Sequence, residues 1–354
     1  MRIGIVGIGK LGEYHTGLLK EISNASPDIE FCGVFDQNPL RLQEICGKYS
    51  VHGFGSIDEM ADTCDAVVIA TTTSSHHKIA GRLLESGVSL FIEKPVTATL
   101  EEADDLVRLE KEKGVLIQVG HIERFNPALL AVEPYIGEPI YIQAERLSGF
   151  SKRVTDVSVV LDLMIHDIDL VLSLVKSDIR SIAASGVRVF SHELDMASAR
   201  IEFTNGAIAN LTASRLSRSR LRKMRFFGKE PKSYASLDFT AGKSEVFRLV
   251  RPEELSTRNP IGKFASKKIL EQFGEIHDSL DGLTLDYVTP EVPKTNALKV
   301  ELECFIDSLK YGKPAAVTSA EGRRALMVAG LVTREIEKNL ENQVLFFVND
   351  FRSP

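Results

Sequence analysis

The sequence predicts an α/β protein: an N-terminal Rossmann doubly wound parallel sheet, then an α+β domain with an open, mainly antiparallel sheet. Three observations predict this. Residues 2–8, Arg-Ile-Gly-Ile-Val-Gly-Ile, form a short apolar run that ends in a glycine-rich turn and opens a helical pattern. Strand-like and helical patterns then alternate to about residue 119, the signature of parallel βαβ units. From residue 179, six strand-length runs follow one another with little helix between them.

The elements of the first region follow in order. Gly7-Ile8-Gly9-Lys10-Leu11-Gly12 is a Gly-x-Gly-x-x-Gly turn between a strand and a helix reaching about Ile22. The first glycine makes the tight turn, the second admits a pyrophosphate, and the third lets helix pack on strand. A second strand, Ile29 to Phe35, ends at Asp36, at the spacing of a ribose-binding carboxylate, and favours NAD over NADP because it repels an added phosphate. His52 to Gly55 is expected as a short strand and Asp65 to Thr72 as a central one. Ser74 is the expected cap of a helix to about Ser86, stopped by Gly87. Val88 to Ile92 is a strand, Thr99 with Glu102 makes a capping box for a helix ending near Gly114, and Val115 to Val119 is a further strand.

In the second region, Pro127 to Ile136 is expected as a short helix and Pro139 to Leu147 as a strand, followed by a polar loop with Lys152, Arg153 and Asp156. Strands are expected at 179–189, 195–204, 207–215, 222–228, 233–240 and 243–250. Asn205-Gly206 marks a hairpin and Ala241-Gly242 another turn. Residues 251–294 have no assignable pattern, and helices near 296–311 and 319–340 close the chain. With 354 residues the expectation is two domains, 1–122 and 123–354.

Composition narrows the function. Hydrophobic residues make up 44% and charged residues 26%, as in a soluble globular protein. No apolar run reaches membrane-spanning length, and Arg2 leads into a strand rather than a signal peptide, so a cytoplasmic location and no membrane partner are expected. Cys32, Cys46, Cys64 and Cys304 are too scattered for a disulfide framework or zinc site. A net charge of −6 gives no reason to expect nucleic acid.

The chemistry-bearing residues gather at expected strand ends and on one helix. Thr71, Thr72 and Thr73 lead to His76; Glu93-Lys94-Pro95 closes a strand; Arg124 and Asn126 follow another. Lys94 precedes a proline, so it is extended, and it suits a developing alkoxide. In Leu161 to Val175, otherwise apolar, Asp162, His166, Asp169 and Ser173 fall at spacings of four, three and four, one stripe of an α-helix. Two carboxylates and an imidazole on a buried helix call for a cleft; an ordinary amphipathic helix with a thin wet face and a metal held by Asp162, His166 and Asp169 are the alternatives, and the reading adopted has no metal. Arg215, Arg218, Arg220, Arg222, Lys223 and Arg225 form a basic run in an acidic chain, suited either to a diphosphate or to solvated or subunit-pairing charge.

The glycine turn, Glu93-Lys94-Pro95 and Asp162-x-x-x-His166-x-x-Asp169, in this order over nearly the whole chain, resemble the glucose-fructose oxidoreductase, inositol dehydrogenase and MocA family. The resemblance implies hydride transfer between a sugar or polyol carbon and NAD. It makes Lys94, Asp162 and His166 catalytic. Cofactor contacts are expected from Gly7, Ile8, Gly9, Lys10, Leu11, Gly12, Asp36, Thr71, Thr72, His76, Glu93 and Lys94. Substrate contacts are expected from Lys94, Arg124, Asn126, Asp162, His166 and Asp169. The usual Thr-Pro-Thr reads Thr71-Thr72-Thr73 here, which alters that loop's shape. Val119 to Pro127 and Asp162 to Asp169 resemble the branch that acts on nucleotide sugars, implying a UDP-linked amino sugar oxidised at carbon 3. A free-sugar or inositol dehydrogenase and a non-catalytic NAD-binding regulator are the alternatives. A homodimer or homotetramer through the open sheet is expected.

Overall fold

The computed structural model describes residues 1–150, 157–254 and 282–350. The chain forms two compact units, residues 1–122 with 295–327, and residues 123–294 with 328–354. Residues 295–327, expected with the second domain, therefore belong to the first unit.

The first unit is a parallel sheet of β1 (Arg2–Val6), β2 (Glu30–Phe35), β3 (Ala66–Ile69), β4 (Ser89–Glu93) and β5 (Ile117–Gly120), in the order β2-β1-β3-β4-β5. Its helices are α1 (Lys10–Ala25), α2 (Pro39–Tyr49), α3 (Ile57–Thr63), α4 (Thr73–Glu85) and α5 (Leu100–Lys113). The Thr99–Glu102 capping box forms as its residues require, and Gly114 ends α5 in the left-handed conformation. His52 to Gly55 is not a strand; only a single bridge joins Gly53 to Val34. The seven residues between α2 and α3 leave too little chain to pair further. Ser74 is not the cap of α4: the helix starts two residues earlier than that cap would set, at Thr73, with Thr72 at the cap. The short helices α2 and α3 had start signals in Asn38-Pro39 and in Ser56 followed by Glu59. After the second unit the chain returns as α8 (Ala297–Tyr311), whose Leu302, Phe305 and Ile306 complete a core with Ile3, Ile5 and Phe91. The Cys32 and Cys64 sulfurs, distant in sequence, lie 3.7 Å apart as free thiols.

The second unit carries a sheet in the order β13-β12-β11-β10-β6-β9-β8-β7. Its strands are β6 (Pro139–Leu147), β7 (Ile179–Val187), β8 (Met196–Phe203), β9 (Ile208–Ser214), β10 (Leu221–Gly228), β11 (Ser233–Asp238), β12 (Lys243–Val250) and β13 (Thr284–Val288). All neighbours are antiparallel except β6 and β9, and seven of these strands lie within a few residues of the sequence expectation. The eighth, β13, falls in the stretch without a pattern. The hairpin at Asn205-Gly206 forms with Gly206 at φ +87°. Helix α6 (Pro127–Ile136) packs on β10, β11 and β12, and α7 (Ile165–Leu174), entered through a π-turn over Val160–Met164, packs on β6 and β9. Tyr141, Phe227, Tyr234, Phe247 and Tyr287 pair across five adjacent strands, ring centroids 4.8–6.0 Å apart, with Phe227 38% exposed. The closing helix α9 spans Ser319–Asp350. Among the described residues, no helix is long and apolar enough to cross a membrane.

Candidate functional site

The candidate residues fall into two sets, one in each unit. In the first, Gly7 adopts φ +84°, and a Cβ on it would meet Thr71 Cγ2 at 2.5 Å. A Cβ on Gly12 would lie 1.9 Å from the Gly7 carbonyl oxygen, so the close approach of α1 to β1 requires glycine. Gly9 has open space where its Cβ would be, and it stands at the N-cap of α1 with no side chain capping the helix. Lys10 and Leu11 begin that helix and are exposed. An uncapped first turn facing open space is an anion site, and these residues fit a dinucleotide pyrophosphate.

Asp36 is anchored beside this turn. Its Oδ2 accepts the Ile8 N–H at 2.9 Å and its Oδ1 accepts the Asn38 N–H at 2.9 Å. A cavity of about 1250 Å³ opens here, lined among others by Gly7, Gly9, Asp36, Thr71 and Thr72. Arg41, on the first turn of α2, donates to the Ile8 carbonyl at 2.8 Å and pairs with Glu13 and Glu44. The Asp36 carboxylate is thus fixed at the strand end, and Arg41 is already paired.

Two buried histidines bracket Lys94, and one of them escaped the sequence reading. His15, on the inner face of α1, lies 2.7 Å from the Glu93 carboxylate, and both are buried. His76 is 1% exposed; its Nδ1 lies 3.0 Å from the Pro95 carbonyl and its Nε2 3.2 Å from that of Thr71. Burial holds His76 below the ordinary histidine value despite these carbonyls, so it is neutral near pH 7. His76 and Glu93, expected as cofactor contacts, thus brace the turn that presents Lys94, where the Lys94–Pro95 bond is cis and Lys94 is half-buried. The available signal for His15 was an imidazole on the apolar side of a helix.

In the second unit, the stripe expected for one α-helix is altered by the π-turn. A π-turn holds an extra residue, so the rotation from Asp162 to His166 is not that of an uninterrupted α-helix. Asp162 and His166 are half-buried, and His166 is the one residue from 164 to 172 that is not fully buried. Asp169 is 1% exposed and accepts two hydrogen bonds from Arg124, at 2.8 and 2.7 Å. Arg124 and Asp169, expected to meet substrate, therefore engage each other. Asn126 caps α6, accepting from the Ala128 N–H at 3.1 Å, and donates to Glu123 at 3.0 Å. Ser173 donates to the Leu170 carbonyl within its own helix.

Arg146 and Asp167 were not singled out from the sequence. Arg146, buried on β6, donates to Asp167 at 2.9 and 2.7 Å and to Glu123 at 2.8 Å. Burial opposes ionisation of Glu123, but the Arg146 charge outweighs it and holds Glu123 below the usual carboxylate range. These pairs lock α7 by carboxylates on either side of His166. The locking leaves Asp162 and His166 as polar groups with partial exposure. Among the described residues no group of three His, Cys, Asp or Glu side chains could hold a metal.

The basic run is not a continuous cationic patch. Arg215 is buried beside Asp195, Arg222 pairs with Glu123, Lys223 with Asp238 and Arg225 with Glu145. Alternation along β10 and the turn preceding it sends these side chains to different neighbours. Lys152 and Arg153 lie outside the described residues.

Comparison with known proteins agrees with this architecture. Residues 1–121 match the model of an oxidoreductase family with an NAD-binding Rossmann fold, Gfo/Idh/MocA, and residues 133–232 match that family's C-terminal domain. UDP-N-acetylglucosamine 3-dehydrogenase of Acidithiobacillus ferrooxidans is 33% identical over 342 residues, 96% of this chain and 99% of that one. The chain belongs to the Gfo/Idh/MocA family. The solved structure of the same A. ferrooxidans enzyme superposes with a TM-score of 0.81, covering 96% of this chain and 98% of that one, at 32% identity. Scyllo-inositol 2-dehydrogenase (NAD(+)) of Bacillus subtilis is 30% identical over 61% of this chain and 68% of its own length. A scyllo-inositol dehydrogenase from Lactobacillus casei, solved with NAD(H) and scyllo-inositol, shares the fold at a TM-score of 0.70 and 19% identity, over 96% and 97% of the two chains.

Proposed function

We propose that this protein is an NAD-dependent dehydrogenase that oxidises a ring hydroxyl, at carbon 3, of a UDP-N-acetylglucosamine-type nucleotide sugar. The observation that carries the substrate is the 32% identity to UDP-N-acetylglucosamine 3-dehydrogenase over 96% of this chain, against 19% for the L. casei inositol enzyme over the same share. A bound nicotinamide supplies the hydride acceptor. The Gly7–Gly12 turn and the N-terminus of α1 hold its pyrophosphate, and Asp36 takes the adenosine ribose diol. His166 removes the proton of the reacting hydroxyl, Lys94 stabilises the developing alkoxide, and Asp162 orients the imidazole or a neighbouring hydroxyl.

The test is NADH formation, followed at 340 nm, with UDP-N-acetylglucosamine and its uronic acid against glucose, myo-inositol and free N-acetylglucosamine. Turnover of a nucleotide sugar alone supports the reading. Robust turnover of inositol or a free sugar, with no nucleotide sugar accepted, replaces it with a polyol dehydrogenase. No turnover with any substrate, together with tight NADH binding, favours a regulator. The five-ring aromatic face on β6, β10, β11, β12 and β13 supports self-association through the open sheet. A monomeric mass by light scattering would sink that part.

A further inference from the structure

The turn between β7 and β8 is built around one buried carboxylate. Asp195 accepts the backbone N–H groups of Val189 at 2.7 Å, Phe190 at 2.7 Å and Ser191 at 3.1 Å, and the Ser191 hydroxyl at 2.8 Å. Buried Arg215 lies 3.5 Å from Asp195 and donates to the Leu194 carbonyl at 2.8 Å. This dense internal bonding holds a phenyl ring out of the protein. Phe190 is 69% exposed, and its ring meets that of Phe150, 40% exposed, edge-on at 5.7 Å. A large apolar ring left in water is a cost that a polar residue would avoid, and here the backbone beneath it is rigidly fixed.

Two exposed cations lie on the segment that runs beside the one leading to Phe150. The Ser148 N–H donates to the Ser214 carbonyl at 2.8 Å and the Ser217 N–H to the Ser148 carbonyl at 3.0 Å, so the segment leaving β9 runs beside the segment leading to Phe150. Its next basic residues, Arg218 and Arg220, are exposed and make no ion pair among the described residues, unlike the four other cations of the run. The Val159 N–H donates to the Leu194 carbonyl at 2.9 Å, so the π-turn that carries Asp162 starts at this same end of the sheet.

We propose that Phe150 and Phe190 stack the nucleobase, and Arg218 and Arg220 hold the diphosphate, of a nucleoside-diphosphate substrate. The proposal rests on the nucleotide-sugar reading above. A planar base matches an aromatic platform, and a diphosphate matches two free guanidinium groups; an uncharged polyol offers neither. The nucleotide would thus be gripped by the second unit at a remove from the reacting carbon, where its binding improves positioning.

The chain has no tryptophan, so Phe190→Trp introduces a single indole as a reporter. With NAD saturating, UDP is expected to quench that indole, and N-acetylglucosamine is not. Arg218→Ala combined with Arg220→Ala should weaken UDP binding and raise KM for UDP-N-acetylglucosamine by at least about tenfold, with NADH affinity unchanged. Phe190→Ala should raise the same KM without the reporter. Oxidation of UDP-N-acetylglucosamine with no quenching and an unchanged KM in these variants would overturn the subsite and leave the substrate reading standing. Failure of UDP to bind together with no turnover of any nucleotide sugar would remove both. If Phe150→Ser with Phe190→Ser alters the oligomeric mass and not KM, the patch is an interface between copies and the proposal falls.

Discussion

Arg146 reaches from strand β6 to donate two hydrogen bonds, at 2.9 and 2.7 Å, to Asp167, the residue that follows His166. The pair is buried, so each charge depends on the other. Asp167→Ala leaves Arg146 with only Glu123 in a dry site, and removing one partner of such a pair costs about 3–5 kcal/mol. Chemical unfolding should show a loss of that size. Asp162→Ala, at a half-buried position, should change stability by less than about 1 kcal/mol while abolishing most activity. Equal destabilisation by the two substitutions would refute the division between anchoring and reacting carboxylates.

Catalytic efficiency should be higher with NAD than with NADP, because Asp36 stands at the end of β2 and Arg41 is engaged by Glu13 and Glu44. Asp36→Ala should narrow the ratio between the two cofactors. A wild-type preference for NADP would contradict the assignment.

His166→Ala and Lys94→Ala should each lower turnover by at least about tenfold, the lower end of what a positioned acid or base supplies being about a hundredfold. NADH affinity, measured by fluorescence titration, should stay nearly intact in both, since the glycine turn holds the dinucleotide. Wild-type turnover in both variants would exclude the mechanism.

Asp195 should make part of the fold's acid resistance. Burial works against its charge, but the N–H groups of Phe190, Val189 and Ser191 and the Ser191 hydroxyl hold its pKa down to about 2. Its folded value is below its unfolded one, so the stabilisation is complete above about pH 4 and is lost as pH falls through about 2. Asp195→Asn should cost about 2 kcal/mol at pH 7 and progressively less below pH 4. A pH-independent difference between variant and wild type would show that the carboxylate's charge is not what matters.

The sequence made some features plain and concealed others for physical reasons. Gly7 and Gly12 were legible because a turn where backbone and helix approach so closely permits no side chain, and Asn205-Gly206 because its backbone needs positive φ. Strands β6 to β12 were legible through alternation on a sheet covered on one face. Asp167 was hidden because a carboxylate's partner is set by tertiary contact: in a stripe count it reads as off-face, whereas Arg146 on a distant strand makes it the anchor. The pairing of Asp169 was hidden for the same reason, its neighbour Arg124 being 45 residues away. The π-turn at Val160–Met164 has no composition signal among Val, Leu, Asp and Met. Arg215 looked like one of six equivalent cations until its burial beside Asp195 separated it from Arg218 and Arg220.

The return of the chain as α8 sets an order on synthesis. Leu302, Phe305 and Ile306 cover the core around Phe91, and they are made some 210 residues after it. At ribosomal rates of about 5–20 residues per second, that apolar surface waits roughly 10–40 s without its cover. A cut after residue 122 would leave it uncovered for good. The nucleotide-binding portion is therefore not a separable cassette: the nascent N-terminal half depends on the far end of its own message, and chaperone demand should peak before the closing helices emerge.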